Sequence, residues 1–320
     1  MSLRERPHLP PPMRTVLLPI AAAALLVLVA CQAGTQRLTI ATGGTGGVYF
    51  PLGGGLAQEL TENIDGVQAT AQETSASVDN MRLIGSGGAH IAFVLADTAA
   101  DAVAGRADFE GAAVDACTLG ILYGNFTQVV TTTGSGIETI ADLSGKRVSV
   151  GAAASGTEVI ALRILGAAGI NPDSGISRSQ LLIDETVDGL KDGTIDAGFW
   201  SGGLPTGALV DLPNLKLIPT AEFATDLATE FGPFYVAKDI PANTYPGQAE
   251  AVPTIVVPNV LVVKKSMAED LQRQITEVIF EQKADLVAVH AAANELDPAT
   301  AGVVAFMDVC PGAKAYYDAQ

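Results

Sequence analysis

The sequence predicts an α/β protein built from two βαβ lobes, the second inserted into the first. Three observations carry this reading. The chain has 320 residues, enough for a real core and most naturally for two lobes. It is 48% hydrophobic and only 17% charged, which excludes a disordered polymer. Short β-rich runs alternate with helical patterns in two separate series, the mark of βαβ units and parallel pairing.

In the first series, RLTIAT (37–42) reads as a strand, followed by a Gly-rich turn and a helix over 51–63. VQATAQET (67–74), a helix over 75–86 and HIAFVLA (90–96) continue the rhythm. It resumes after Thr131 with the strand RVSVGA (147–152), a helix over 157–168, the strand LLID (181–184), a helix over 185–191 and the strand IDAGFW (195–200). VPTIVVPNVLVVKK (252–265) is a long apolar strand run interrupted by Pro258, placed where the chain returns to the first lobe. Helical patterns over 266–293 then finish the chain. The expected division is 37–127 plus 255–320 for lobe I and 128–254 for lobe II.

Charge narrows the function. There are 18 Lys+Arg against 35 Asp+Glu, a net charge of −17, and a nucleic-acid binder needs a basic face. Three Cys and three His leave little material for a multi-ligand metal site. A mean hydropathy of +0.32 reflects in part the N-terminus. There, Arg4, Arg6 and Arg14 flank or precede an apolar run from Val16 to Ala30, broken by Pro19. A membrane span needs about 20 apolar residues, so residues 1–30 read as a secretory leader. The leader ends in Leu28-Val29-Ala30-Cys31, which resembles a bacterial lipobox, with Cys31 as the lipidated residue. The other reading is an ordinary signal peptide with an incidental Cys. Export leaves Cys117 and Cys310 as an even pair in an oxidising compartment; a disulfide and two separate thiols are both open, since sequence fixes no distance.

Four strand-to-helix junctions stand out. The first is Ala41-Thr42-Gly43-Gly44-Thr45-Gly46-Gly47-Val48-Tyr49-Phe50-Pro51. It lacks the third Gly of a dinucleotide fingerprint, and no P-loop motif occurs in the chain. The others are Glu73-Thr74-Ser75-Ala76-Ser77, Ala153-Ala154-Ser155-Gly156-Thr157-Glu158 and Trp200-Ser201-Gly202-Gly203-Leu204-Pro205. All lie at the carboxyl ends of strands, where open α/β sheets bind ligands. They offer hydroxyls and N-terminal amides without Lys or Arg, a chemistry suited to an anion. Singly such Ser and Thr are often mere N-caps; four together, beside Tyr49 and the single Trp, read as a cleft lining. No G-x-S-x-G elbow, paired carboxylates or partnered His is present. His90 and His290 read as structural or surface residues, so neither an enzyme nor a cofactor is expected.

These residues carry a resemblance. ATGGTGGVYFPLGGGLA, ETSASVDNMRLIGSG, GIETIADLSGKRVSVGAAASGTEVIALRILGAAGI, LKDGTIDAGFWSGGLPTGAL, FGPFYVAKDIPANTYPG and CPGAKAYYDAQ resemble successive blocks of the TAXI family. That family is the extracytoplasmic solute-receptor branch of the tripartite ATP-independent periplasmic (TRAP) transporters. The resemblance implies a type II periplasmic-binding-protein fold, with two lobes joined by hinge strands. It also implies a monomeric receptor that closes over a small organic acid, glutamate-like or 2-oxoglutarate-like, and delivers it to TRAP membrane subunits. The implied location is periplasmic or cell-surface, held to the membrane only through lipid on Cys31.

Carried over by position, the ligand-binding residues are Thr45, Gly46 and Tyr49, then Thr74, Ser75, Ser77 and Asn80, then Asp97, Ser155 and Thr157, and finally Trp200, Ser201 and Gly203. The chain departs from the family in three places. Thr74-Ser75-Ala76-Ser77 stands for Thr-Gly-Gly-Ser; Leu95-Ala96-Asp97, followed by Thr98-Ala99-Ala100, stands for Gln-x-Asp and a nearby Tyr; Cys310-Pro311-Gly312-Ala313 stands for His-Pro-Gly-Ala. The second change removes polar atoms and points away from glutamate toward a smaller or less polar acid. The same lobes and leader also suit an ABC-type solute-binding lipoprotein or a receptor feeding a sensor kinase; the TAXI blocks favour TRAP.

Overall fold

A computed structural model describes residues 35–320, and Met1 besides. The leader over 1–30 and the lipidation expected at Cys31 therefore lie outside the described residues. The first series forms as β1 (Gln36–Ala41), α1 (Tyr49–Asn63), β2 (Val67–Gln72), α2 (Ser77–Ser86), β3 (Ile91–Leu95) and α3 (Ala96–Ala104). β1 pairs in parallel with β2 and with β3. IAFVL in β3 is apolar throughout because both of its faces are covered. Ile91 and Phe93 pack with Leu52, Leu56 and Leu60 of α1, whereas Ala92 and Val94 pack with Val78, Met81 and Ile84 of α2. Each such large aliphatic contributes about 1.5–3 kcal/mol of transfer free energy. α2 stops at Gly87, whose φ of +81° lets its own N–H and that of Gly88 bond back to Ile84 and Leu83.

β4 (Ala116–Thr132) follows, a 17-residue strand that sequence reading leaves unassigned. Gly120, Gly124, Asn125 and Gln128 break its alternation, so its period is hidden. The second series comprises β5 (Arg147–Ser149), α4 (Gly156–Ala167), β6 (Ser177–Ser179), α5 (Ile183–Lys191) and β7 (Ala197–Gly202). Here one expectation is corrected: LLID is not a strand. Leu181 and Leu182 lead into α5, which opens at Ile183 with Asp184 and Glu185 in its first turn, and the Leu182 N–H donates to Glu185 Oε2 at 2.9 Å. Acidic residues there favour a helix start. The strand beside β5 is the polar Ser177–Ser179, which carries no apolar signal.

α6 (Gly207–Val210), β8 (Leu215–Ile218), α7 (Ala224–Phe231) and β9 (Val236–Ile240) lead to β10 (Val252–Lys264). The chain then runs through α8 (Glu269–Glu281), α9 (Lys283–Val289), α10 (Pro298–Ala301) and α11 (Pro311–Tyr317). The last two extend the helical end beyond the expected 293, each opening with Pro at its start, where the missing N–H costs nothing.

The strand order is β2-β1-β3-β10-β4-β7-β5-β6, with β8 on β4 and β9 on β10. β10 and β4 run antiparallel to each other and tie the two series together. The boundaries expected at 127/128 and 254/255 fall inside these two strands. One pair of apolar clusters draws on 38–123 and 260–316, the other on 95–100 and 126–257. Cys117 and Cys310, left open by the sequence, form a disulfide between the start of β4 and the residue preceding α11. Among the described residues no helix is long and apolar enough to cross a membrane.

Candidate functional site

The loop between β1 and α1 runs against residues of the second series. Its glycines answer to space, since none of them has a positive φ. A Cβ on Gly47 would stand 2.9 Å from the Trp200 ring, and one on Gly44 would stand 3.0 Å from Leu182; one on Gly46 would collide with the Asp184 carboxylate. Behind the loop, the Asn80 amide donates to the carbonyls of Thr42 (2.7 Å) and Phe93 (2.8 Å). The Thr74 hydroxyl lies 2.7 Å from Asn80 Oδ1.

A cavity of about 30 Å³ lies in this contact, room for about two water-sized groups at 10–15 Å³ each. Three helices open onto it: Tyr49 starts α1, Ser77 starts α2, and Gly156 and Thr157 start α4. Ser155 caps α4, accepting from the Glu158 N–H at 3.0 Å. The rest of the wall includes Ser75, Leu95, Ala152, Leu182, Trp200 and Ser201. No lining side chain is charged. The N-terminal ends of three helices and the hydroxyls between them therefore offer hydrogen-bond donors to an anion without a formal cation. Asp79 and Glu158, in the first turns of α2 and α4, accept from the Ser75 and Ala154 N–H groups.

Tyr49 reaches to the bottom of this wall. Its hydroxyl donates to Asn259 Oδ1 at 2.9 Å and accepts from Asn125 Nδ2 at 3.1 Å. Burial pushes its pKa up, so it acts as a neutral hydrogen-bonding group. The Ser77 hydroxyl accepts from the Leu95 N–H (3.1 Å), the Thr157 hydroxyl accepts from the Ser201 N–H (3.2 Å), and the Trp200 indole donates to the Thr206 hydroxyl (2.9 Å).

Of the residues expected to bind ligand, Tyr49, Ser75, Ser77, Ser155, Thr157, Trp200 and Ser201 stand together on the cavity. Six stand elsewhere. Thr45 is exposed and Gly46 faces Asp184. Thr74 and Asn80 are occupied in tying the loops together. Gly203 backs onto Ala292 and Tyr123. Asp97 is buried in an ion pair with Arg163 (3.2 Å) and accepts from Tyr235 at 2.7 Å; burial pushes its carboxyl up from the usual range, against the pull of Arg163. Sequence reasoning missed Leu182, hidden in a misread strand, and Asn125 and Asn259, which sit mid-strand where side chains usually pack. His90 accepts from the Thr39 N–H and His290 from the Ala292 N–H, both local structural uses. Among the described residues there is no group of His, Cys, Asp and Glu that could hold a metal ion.

This architecture has solved counterparts. A Streptococcus mutans protein, from a structure titled for glutathione import via GshT and the cystine ABC importer TcyBC, aligns at 12% identity with a TM-score of 0.51, covering 81% of this chain and 95% of that one. XAC2383 from Xanthomonas citri, bound to chloride ion, aligns at 12% identity and TM-score 0.50, covering 89% and 99%. The periplasmic aliphatic sulphonate binding protein SsuA from Escherichia coli aligns at 16% identity and TM-score 0.46, covering 88% and 78%. The fold is the two-lobed periplasmic-binding-protein fold. A family profile matches residues 40–320, nearly the whole described chain, and the protein belongs to the NMT1-like family.

Proposed function

We propose that the protein is an extracytoplasmic solute-binding receptor that captures a small carboxylate between two lobes and delivers it to TRAP membrane subunits. The observation that carries this reading is the convergence of three helix N-termini and six hydroxyl-bearing side chains, with no charged one, on a single cavity. The lobes are 37–127 plus 255–320 and 128–254, and β4 and β10 are their hinge. Closure needs only that the solute bind the closed form better than the open one. Here that difference comes from uniting the amides of α1 and α2 with those of α4 around one anion. The TAXI blocks support TRAP as the partner, and the leader supports an exported receptor anchored at Cys31. The Streptococcus mutans likeness supports an ABC permease as the second reading; co-purification with membrane subunits of one type or the other separates the two.

The test is a thermal-shift screen of the full chain against short carboxylates, amino acids, dicarboxylates and 2-oxo acids. A ligand at a thousand times its Kd adds about 4 kcal/mol to the native state, a clear rise in Tm. A shift with an acid and none with its neutral amide supports the reading. A shift only with cationic or uncharged solutes overturns it.

A further inference from the structure

Leu182 and Trp200, both on the cavity wall, press against glycines of the β1–α1 loop. A Cβ on Gly44 would stand 3.0 Å from Leu182 Cδ2, and one on Gly47 would stand 2.9 Å from the Trp200 ring. Neither approach leaves room for a methyl group without displacing the neighbour. Trp200 is fixed in place. Its indole N–H donates to the Thr206 hydroxyl at 2.9 Å, and that hydroxyl donates in turn to the Gly203 carbonyl at 3.1 Å while accepting from Gln128 Nε2 at 3.2 Å. Leu182 is placed differently. It is half-buried, and among the described residues it belongs to none of the four apolar clusters that form the cores. A large aliphatic side chain thus stands at the cavity with no share in the core.

We infer that Leu182, backed by the fixed Trp200 ring, limits the length of the solute, and that the substrate class is the aliphatic monocarboxylates of about two or three carbons. The volume sets the limit. About 30 Å³ holds about two water-sized groups, the bulk of a carboxylate with a carbon or two behind it. A longer chain has to push Leu182 or Trp200 away from the loop. It then keeps the β1–α1 loop from meeting the second series, so the closed form loses its advantage over the open one. The rest of the wall selects against a second polar group. No lining side chain is charged, so an ammonium group finds no counter-charge and is costly to bury. A second carboxylate faces Leu182 and Trp200, and the acidic Asp184 lies against Gly46, between the two glycines they touch. This rests on the carboxylate reading above and adds to it a length limit and the residue that sets it.

The experiment measures binding of the full chain by calorimetry to the unbranched acids from acetate to hexanoate, with succinate and alanine beside them. The expected maximum is at acetate or propionate. Hexanoate should bind at least about ten-fold more weakly, the effect of forcing extra methylenes into a packed site. Succinate and alanine should fall below propionate by at least about ten-fold as well. Leu182→Ala should move the maximum to butyrate or valerate and raise valerate relative to acetate at least about ten-fold over the parent protein. Its unfolding midpoint without ligand should stay nearly unchanged, because no core contact is lost. Leu182→Val, a smaller deletion, should give an intermediate shift. A parent maximum at butyrate or longer, succinate or alanine binding tightest, or Leu182 variants that weaken every acid by the same factor would each overturn the length limit while leaving the carboxylate site standing. Silence across all acids, with a Tm shift for other solutes in the wider screen, would remove the carboxylate reading and this inference with it.

Discussion

Ala76 shows how one residue records a conflict between local and site geometry. It caps α2 with φ 81° and ψ −143°, a conformation that a Cβ makes costly by about 1–3 kcal/mol. The strain persists because Ala76 lies on the cavity wall between Ser75 and Ser77, where α2 has to start for its amides to face inward. Gly relieves the strain but loses more entropy on folding, about 0.5–1 kcal/mol. Ala76→Gly should therefore stabilise the fold by about 1 kcal/mol, read as a higher urea midpoint at constant slope; a lower midpoint would show that the conformation costs little. At this scale the sequence was informative where chemistry follows position. Tyr49, Ser77, Ser155, Thr157 and Ser201 sit at strand ends or helix starts and line the cavity. Asp97 was opaque because its partner, Arg163, is 66 residues away, and no local pattern reports a partner at that distance.

At the scale of elements, α3 and α4 are joined by one buried cation. Arg163 of α4 pairs with Asp97 and Asp101 of α3, at 3.2 and 2.6 Å, and stacks over the Phe231 ring at 4.3 Å. Its side chain is 10% exposed and that of Asp97 is 0% exposed. Removing the cation alone leaves a buried carboxylate without its counter-charge, a loss of about 3–5 kcal/mol. Arg163→Met should cost that much in chemical denaturation. Adding Asp97→Asn should recover part of it, since the second change removes the stranded charge; additive losses would refute the coupling. The elements best read from sequence were β1, α1, β3 and α4, each bordered by a Gly-rich or hydroxyl-rich turn. The misread LLID shows the limit: three apolar residues and an aspartate carry no period, and the acidic first turn of α5 decided their conformation.

For the molecule as a whole, β4 and β10 are the pieces that make one protein of two series. They run past both boundaries expected from the sequence. The Cys117–Cys310 disulfide closes a loop across a separation of 193 residues, taking in the whole of the second series. Loop-closure entropy assigns such a link about 5 kcal/mol, although measured values more often fall at about 2–4. Reduction, or the double change Cys117→Ala with Cys310→Ala, should lower unfolding stability by about 2–5 kcal/mol, checked by denaturant unfolding with and without reductant; equal midpoints would show that the link adds nothing to the fold.

The sequence by itself determined the class: an acidic α/β chain with two βαβ series, Gly- and hydroxyl-rich strand ends, and no motif of catalysis. Those features are local, written in periods of two and 3.6 and in turn chemistry, so they survive without coordinates. Only the tertiary structure decided which hydroxyls meet, that Asp97 and Asn80 hold the frame together, and that two cysteines bond. Each of those facts joins residues tens to hundreds of positions apart, and such proximity is set by the packing of the whole sheet, which no short stretch of chain encodes alone.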